Sequence, residues 1–257
     1  MEIKKLNAAR GWIWVKQGYQ LIMRNPLLSI TPVLIGSLAI FASLKVALFG
    51  PLIAMLLMPL VMAGYMRICR ALEEDEKVEL AHLFAGFQKN TARLIALSGF
   101  TMLGLLLASA AMLFIGGEAL TTLLENVQAT NDPQMLMDAM WTAGSGVALS
   151  LLVGITLVLV LMLALQYAPM LVFFSDVPPL SALRASLTGS LRNIAPYTVY
   201  SLIMQVVALV LGMLPFGIGL IVLLPLGLTS LYVSYRNIFP FADELIPGGS
   251  AAPGAEV

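Results

Sequence analysis

The residues best suited to chemistry in this chain are three basic side chains, each followed directly by asparagine. The pairs are Arg24-Asn25, Lys89-Asn90 and Arg192-Asn193, and each closes an amphipathic stretch and opens an apolar one. A cation at such a junction is expected at the depth of lipid phosphates, which attract it. Asparagine satisfies backbone groups in turns and at helix starts. The pattern predicts three lipid head-group contacts at three corners, although cations that only mark topology would produce the same pattern.

Three further polar residues have competing interpretations. Asp176 precedes Pro178-Pro179, and this order indicates the start of a helix more than a ligand or cation site. Gln166 and Gln205 are the largest uncharged polar groups inside the apolar runs, so they are the candidates to line a cavity. Ion-coupled transporters usually place ionisable residues at mid-membrane, and none stands there, which weakens that class.

Catalytic and metal-binding patterns are absent from the sequence. The chain has one cysteine, Cys69, and one histidine, His82, with no nucleophile and base pair and no ligand set. We therefore predict no enzyme, no cofactor and no metal site. A net charge of zero provides no field for nucleic acid. The predicted partners are membrane lipids and either a membrane protein or a second copy of the chain.

Composition places the chain in the membrane class. Of its 257 residues 60% are hydrophobic and 11% are charged, with a mean hydropathy of +0.93, whereas a soluble domain has about 45–50% apolar and about 25% charged residues. Apolar runs of 18 or more residues are typical of membrane-spanning helices. The sequence predicts an all-α integral membrane protein with six transmembrane helices, at approximately 27–44, 46–66, 94–115, 146–167, 194–214 and 217–235.

Two breaks and the basic residues determine the predicted topology. Phe49-Gly50-Pro51 and Pro215-Phe216-Gly217 each interrupt an apolar stretch about twice as long as the roughly 20 residues that span a bilayer. Of the 14 lysines and arginines, all except Lys45 fall on one side of the six spans. Basic residues accumulate on the cytoplasmic side. Both termini are therefore predicted to be cytoplasmic, in a bacterial inner membrane.

The corners belong to a repeated unit, an interfacial amphipathic helix followed by a transmembrane hairpin. Three parallel copies are predicted, at approximately 7–70, 76–175 and 176–240, within a single membrane domain, 1–246. The middle copy carries an acidic outer loop, 116–145, in which Asn131-Asp132-Pro133 is predicted to be a turn between two short helical patterns. The tail 247–257 is predicted to be disordered and cytoplasmic.

Each unit opens with apolar residues at helical spacing, and we expect these to lie in lipid at the membrane surface. The residues of the three stripes are Trp12, Val15, Tyr19 and Ile22; Leu80, Leu83, Phe84 and Phe87; and Leu180, Leu183, Leu187 and Leu191. The acidic run Glu73-Glu74-Asp75-Glu76, between the first two units, is predicted to be a solvated loop.

The third unit carries a resemblance to a known family. Its Asp176-Val177-Pro178-Pro179 segment, Ala182-Leu183 followed by Ser186, the Arg192-Asn193 corner and the apolar hairpin resemble uncharacterised six-span bacterial inner-membrane proteins, including the YciC-like group. They are also similar to the membrane domain fused to some glycerophosphodiester phosphodiesterases. The resemblance implies six spans in the inner membrane and no catalytic residue.

The predicted function follows from these observations together. We expect a non-catalytic polytopic membrane protein that binds lipid or a partner protein at its cytoplasmic face. The alternative is a transporter or channel subunit for an uncharged or amphiphilic solute.

Overall fold

The described chain is helical throughout. The computed structural model describes residues 3–129, 133–142, 144–213 and 218–241, and no strand occurs among them. The helices are α1 (Arg10–Arg24), α2 (Pro26–Leu44), α3 (Gly50–Glu73), a short 3-10 helix (Leu80–Phe84), α4 (Ala85–Gln88), α5 (Thr91–Ala129), α6 (Pro133–Thr142), α7 (Gly144–Gln166), α8 (Ala168–Ser175), α9 (Pro179–Arg192), α10 (Ile194–Gly212) and α11 (Ile218–Ile238). The all-α prediction is confirmed.

Within the described residues, five helical segments are long and apolar enough to cross a membrane. They are Pro26–Leu44, Gly50–Glu73, Thr91–Val127, Gly144–Ser175 and Ile194–Gly212. The sixth predicted run corresponds to α11, which is not one of these five. The predicted break at 215–217 and the predicted tail 247–257 lie outside the described residues.

The first predicted break, at Phe49-Gly50-Pro51, is confirmed by the structure. Helix α2 ends at Leu44 and α3 begins at Gly50, with Pro51 in its first turn. Proline is well tolerated there because the first N–H groups of a helix have no intrahelical acceptor. Helices α2 and α3 pack against each other across this short turn. The residues 45–49 are therefore the turn of a helical hairpin.

The described residues form two compact units. One contains the residues up to Ser98 and those from Ala164 onward, and the other is Gly99–Leu163. These two units do not correspond to the predicted division of the chain into three repeats within one domain. That division stays a prediction.

The smaller unit contains the segment predicted as an acidic outer loop, 116–145. Most of that segment is helical, because α5 continues to Ala129 and α6 follows. Gly117 interrupts α5 with a φ of 52° and a ψ of −145°, a conformation open almost only to glycine. Beyond this kink Leu120 and Leu123 pack against Val147. The segment therefore has a small apolar core of its own.

In the larger unit, α1 packs against α10 and α11, which corrects its predicted position. Trp14 is 0% exposed, and Val15 and Ile22 are also buried. Val15 and Ile22 of the predicted stripe face protein because α10 and α11 offer an apolar surface that includes Leu226. Trp12 and Tyr19, the other two residues of the stripe, are 56% and 53% exposed. The prediction that the stripe lies in lipid is therefore wrong for Val15 and Ile22, and it stays a prediction for Trp12 and Tyr19.

The 80–88 segment, which contains the 3-10 helix and α4, is held against α3 by backbone contact. Gly64 of α3 lies so close to Leu83 that a Cβ atom there would collide with the Leu83 carbonyl. Gly86 has the same relation to the Leu60 carbonyl of α3. Since a backbone carbonyl cannot rotate away like a side chain, these two glycines fix the height of the 80–88 segment along α3.

Two of the predicted interfacial stripes keep exposed apolar side chains. In the 80–88 segment Leu83 is buried, but its other three stripe residues are exposed. Helix α9 buries Leu183 together with a side of small residues and leaves Leu180 and Leu191 exposed. The exposed apolar residues of the two segments are Leu80, Phe84, Phe87, Leu180 and Leu191.

Candidate functional site

The predicted cation Arg24 is part of the packing between α1 and α3. Its Nη1 donates hydrogen bonds to the carbonyl oxygens of Leu72, at 2.8 Å, and Glu73, at 3.1 Å. The same nitrogen lies 3.0 Å from the Asp75 carboxylate. Three acceptors on the end of α3 therefore hold Arg24, and it joins the ends of two helices.

The other two predicted cations have greater access to an outside anion. Lys89 has a half-exposed side chain whose Nζ lies 3.4 Å from Asp176 Oδ2 and 5.7 Å from the ring centroid of Phe173. An exposed pair of this kind contributes little to stability and exchanges readily with solvent. Arg192 is exposed at the end of α9.

The asparagines of the first two corners act in different ways. Asn25 Oδ1 accepts a hydrogen bond from Leu28 N at 3.1 Å, so it caps the helix that it precedes. Asn90 instead donates from Nδ2 to Val172 O, at 2.9 Å, and to Asp176 Oδ1, at 2.6 Å. The second corner is thus joined to the end of α8.

The third corner binds the N-terminal segment. Asn193 is buried, and its Nδ2 donates to Lys4 O at 3.0 Å and to Gly189 O at 2.9 Å. Its Oδ1 accepts from Leu6 N at 2.8 Å. Lys4 N donates in turn to Ile238 O at 3.0 Å. The Asn193 side chain therefore holds the extended N-terminal segment, through Lys4 and Leu6, against the ends of α9 and α11.

Asp176 ends one helix and does not begin the next. It is the C-cap of α8 with a φ of 54°, whereas the N-cap of α9 is Pro178. Its backbone oxygen accepts from Arg93 Nη1 at 2.8 Å. The hydrogen bond from Asn90 and the charge of Lys89 lower the pKa of the Asp176 carboxyl below its ordinary value. The carboxylate is therefore ionised at neutral pH.

The acidic run is an exposed turn after Glu73, as predicted, and it also makes four ion pairs. Its four carboxylates meet four different arginines: Glu73 with Arg236, Glu74 with Arg70, Asp75 with Arg24, and Glu76 with Arg67. Glu73 Oε2 also accepts from Tyr232 OH at 2.6 Å. The run connects the ends of α1, α3 and α11: Arg67 and Arg70 belong to the helix that precedes it, whereas tertiary structure supplies Arg24 and Arg236.

Beside these four ion pairs, a cavity of about 320 Å³ opens between the ends of α3 and α8 and the start of α5. It is lined by three basic, two acidic and two aromatic residues: Arg67, Arg70, Lys89, Glu74, Glu76, Phe173 and Phe174. We call it the basic cavity.

Arg67 has unused hydrogen-bonding capacity beside the basic cavity. Its Nη2 donates to Glu76 Oε2 at 2.6 Å, and this bond lowers the pKa of the Glu76 carboxyl. Its Nη1 is buried and has no hydrogen-bond partner in the described structure. A buried N–H group left in this state costs about 1–3 kcal/mol, so an acceptor entering the cavity would be favoured.

Comparison with known proteins supports a location in the inner membrane. The chain is 28% identical to a protein of Burkholderia thailandensis named "probable inner membrane protein", over 276 aligned residues that cover 98% of each chain. No family model and no solved structure matches it. This likeness covers nearly the full length, and the described residues contain five helices able to cross a bilayer. Together the two observations identify the class of membrane protein. The chain is a multi-pass inner-membrane protein.

The membrane position explains the mixed lining of the basic cavity. Arg67 and Arg70 lie in the last two turns of the candidate span Gly50–Glu73, and Phe173 and Phe174 lie at the end of the candidate span Gly144–Ser175. Span ends meet the lipid head groups, where cations are placed opposite phosphates and rings against acyl chains. The lining is therefore appropriate to that depth.

The residues predicted for a transport cavity are in different surroundings. Gln166 is half-buried at the end of α7, and Gln205 is exposed on α10. Neither lines the basic cavity.

Arg67 and Arg70 were not predicted as site residues, and their charges were interpreted only as signals of orientation. Their spacing of three residues at the end of an apolar run places them on one face of a helix. The acidic residues that follow were the available sign of a local charge network. Phe173 and Phe174 gave no such sign, because phenylalanine is ordinary inside a span.

Proposed function

We propose that this inner-membrane protein is non-catalytic and binds anionic membrane lipid at its cytoplasmic face. The observation that carries the proposal is a cation beside exposed apolar side chains in two separate segments. Lys89 follows the exposed Phe87, and Arg192 follows the exposed Leu191. Apolar side chains entering the acyl boundary and cations meeting head groups together favour an anionic interface.

The proposal includes six spans in three parallel units. Helix α11 has 21 residues and no charge before Arg236, so at 1.5 Å per residue it is about 30 Å long, the thickness of the hydrocarbon core. The contacts of Glu73, Asp176 and Asn193 support the arrangement, because they bring together helix ends that the model of six spans assigns to the cytoplasm. The likeness to the YciC-like group is part of the same proposal.

Fusion reporters test the proposed topology. A reporter inserted after residue 132 is expected to report the periplasmic side, and one at the C-terminus the cytoplasm, because basic residues are retained inside. Alkaline phosphatase and green fluorescent protein activities give opposite signals at the two positions. The same compartment at both positions would contradict the six-span proposal.

Lipid retention tests the proposed binding. The double substitution Lys89→Ala with Arg192→Ala is expected to weaken retention of phosphatidylglycerol by about 2 kcal/mol, on the basis of about 1 kcal/mol for each basic residue near the surface. The measurement is native mass spectrometry of the protein released from detergent with bound lipid.

The control is Lys77→Ala, which removes a highly exposed cation that pairs with Glu79 at 3.0 Å. It is expected to have a smaller effect than either Lys89→Ala or Arg192→Ala alone. If the double variant retains as much phosphatidylglycerol as the parent, the lipid role fails. Preservation of lipid together with loss of a co-purifying membrane protein would favour the partner alternative.

A further inference from the structure

We propose that the basic cavity takes one phosphodiester head group carrying a single negative charge, and that Arg67 is its principal ligand. The inference rests on the proposed function, because membrane lipid is the source of phosphodiesters at this depth. It adds a defined pocket and a chemical class to the general attraction of the surface cations.

The charge of the lining selects the class of anion. Arg67, Arg70 and Lys89 contribute three positive charges, and Glu74 and Glu76 contribute two negative ones, which leaves the lining itself with a net charge of +1. Asp176, outside the lining, adds a further carboxylate 3.4 Å from Lys89 Nζ. A phosphodiester carries one negative charge and neutralises the lining. A phosphomonoester carries about −1.5 to −2 at pH 7 and would be left with an excess of negative charge beside two carboxylates.

The hydrogen-bonding geometry supports an oxygen-rich anion. Arg67 uses Nη2 for Glu76, and its Nη1 is buried without a partner, so Nη1 becomes a donor for a ligand once the guanidinium turns toward the cavity. A guanidinium that donates to a carboxylate on one side can donate to a phosphate oxygen on the other, and such charge-assisted bonds are strong. Lys89 adds a second cation at the rim, where its ammonium pairs only loosely with Asp176 at 3.4 Å.

The rest of the lining fits the apolar part of a lipid. Phe173 and Phe174 form the aromatic side of the cavity. A volume of about 320 Å³ falls in the lower part of the range of about 300–1,000 Å³ that is usual for small-ligand sites. A head group with the first carbons of its glycerol therefore meets cations and rings together, because Arg70 and Lys89 each lie 5.7 Å from the centroid of a lining ring.

Two substitutions with opposite expected effects test the site. Arg67→Gln removes the donor and one positive charge, and we expect phosphatidylglycerol binding to weaken about tenfold, as for loss of a hydrogen bond to a charged group. Glu76→Gln raises the net charge of the lining to +2 and frees Arg67, and we expect binding to tighten about threefold or more. Misfolding could explain weaker binding in Arg67→Gln, but it could not explain tighter binding in Glu76→Gln. The second substitution therefore tests the site even if the first one disturbs folding.

Binding is measured by native mass spectrometry of the full chain in detergent during titration with phosphatidylglycerol, and with phosphatidylethanolamine as the zwitterionic comparison. The matched control is Arg184→Gln, which removes the same charge from an exposed position on α9 outside the cavity. It is expected to change binding less than twofold, because an exposed and screened charge contributes little. Water-soluble glycerophosphoglycerol and inorganic phosphate are added separately as competitors.

The inference is supported if Arg67→Gln weakens binding, Glu76→Gln strengthens it, and the soluble diester competes with the lipid in the parent. It is overturned if Arg67→Gln and Arg184→Gln have equal effects, if Glu76→Gln does not strengthen binding, or if the diester does not compete at millimolar concentration. Competition by inorganic phosphate equal to that of the diester overturns the phosphodiester class. Unchanged binding in Arg67→Gln, with loss in the Lys89 and Arg192 double variant, rejects the cavity and leaves the proposed function standing.

Discussion

Replacing Gly64 with alanine is expected to destabilise the protein by about 3 kcal/mol or more, at the upper end of the cost of overpacking. The new Cβ atom would meet three backbone atoms of Leu83: the carbonyl oxygen, the carbonyl carbon and Cα. Backbone atoms on both sides of the contact cannot yield as a flexible side chain does. Relief requires the 80–88 segment to separate from α3, which exposes the buried Leu83. Thermal unfolding in detergent should show a midpoint lower by about 5 °C or more.

The reciprocal substitution and a matched control make this expectation specific. Gly86→Ala should be similarly damaging, because its Cβ atom would meet the Leu60 carbonyl. Gly99→Ala, in the interior of α5, meets nothing within 4 Å and should be neutral or stabilising by up to about 1 kcal/mol. If the unfolding midpoints of the Gly64 and Gly99 variants agree, the close packing of the 80–88 segment on α3 is refuted.

The second large effect is expected at Glu73. Glu73→Ala should cost about 2–4 kcal/mol, because removal of one partner from a largely buried ion pair leaves the other charge poorly solvated. Glu73 and Arg236 have side chains that are 26% and 9% exposed, and Tyr232 OH donates to the same carboxylate oxygen. Chemical denaturation in mixed micelles, followed by tryptophan fluorescence, measures the free energy of unfolding.

Asp75→Ala is the matched control, since it removes the same charge two residues farther along. The Asp75 side chain is 84% exposed in its pair with Arg24, so its loss should cost at most about 1 kcal/mol. Equal costs for the two substitutions would show that burial does not set the strength of these pairs. In that case the acidic run would behave as the solvated loop expected from the sequence.

Local sequence patterns predicted the helices well. Pro51 and Gly50 mark the start of α3, and each corner asparagine stands directly before the first residue of a helix, Pro26, Thr91 or Ile194. These features depend on backbone conformation over a few residues, which turn and helix propensities describe. The outer segment 116–145 was predicted to contain two short helical patterns, and its described residues are helical: α5 continues beyond the kink at Gly117, and α6 begins at Pro133.

The partners of the corner asparagines could not be predicted. The Asn25 side chain bonds to the helix that it precedes, and Asn193 has one local bond, to Gly189 of the helix that it ends. Asn90 bonds to residues 82 and 86 positions away, and Asn193 bonds to residues 187 and 189 positions away. No local pattern carries that information, because these contacts depend on how distant helices pack. The same limit applies to Arg67, since the walls of the basic cavity come from separate parts of the chain.

The docking of α1 has a consequence for the order of synthesis. The extended segment that leads into α1 bonds to Asn193 and Ile238, and α1 itself packs against α10 and α11. These partners leave the ribosome about 180 to 220 residues after α1, which at about 5–20 residues per second is roughly 10–45 s later. During that interval Trp14, Val15 and Ile22 have no protein surface to cover them, and the bilayer surface is the environment that accepts an amphipathic helix. Lipid is thus a temporary partner of the nascent helix, and the last-made hairpin replaces it.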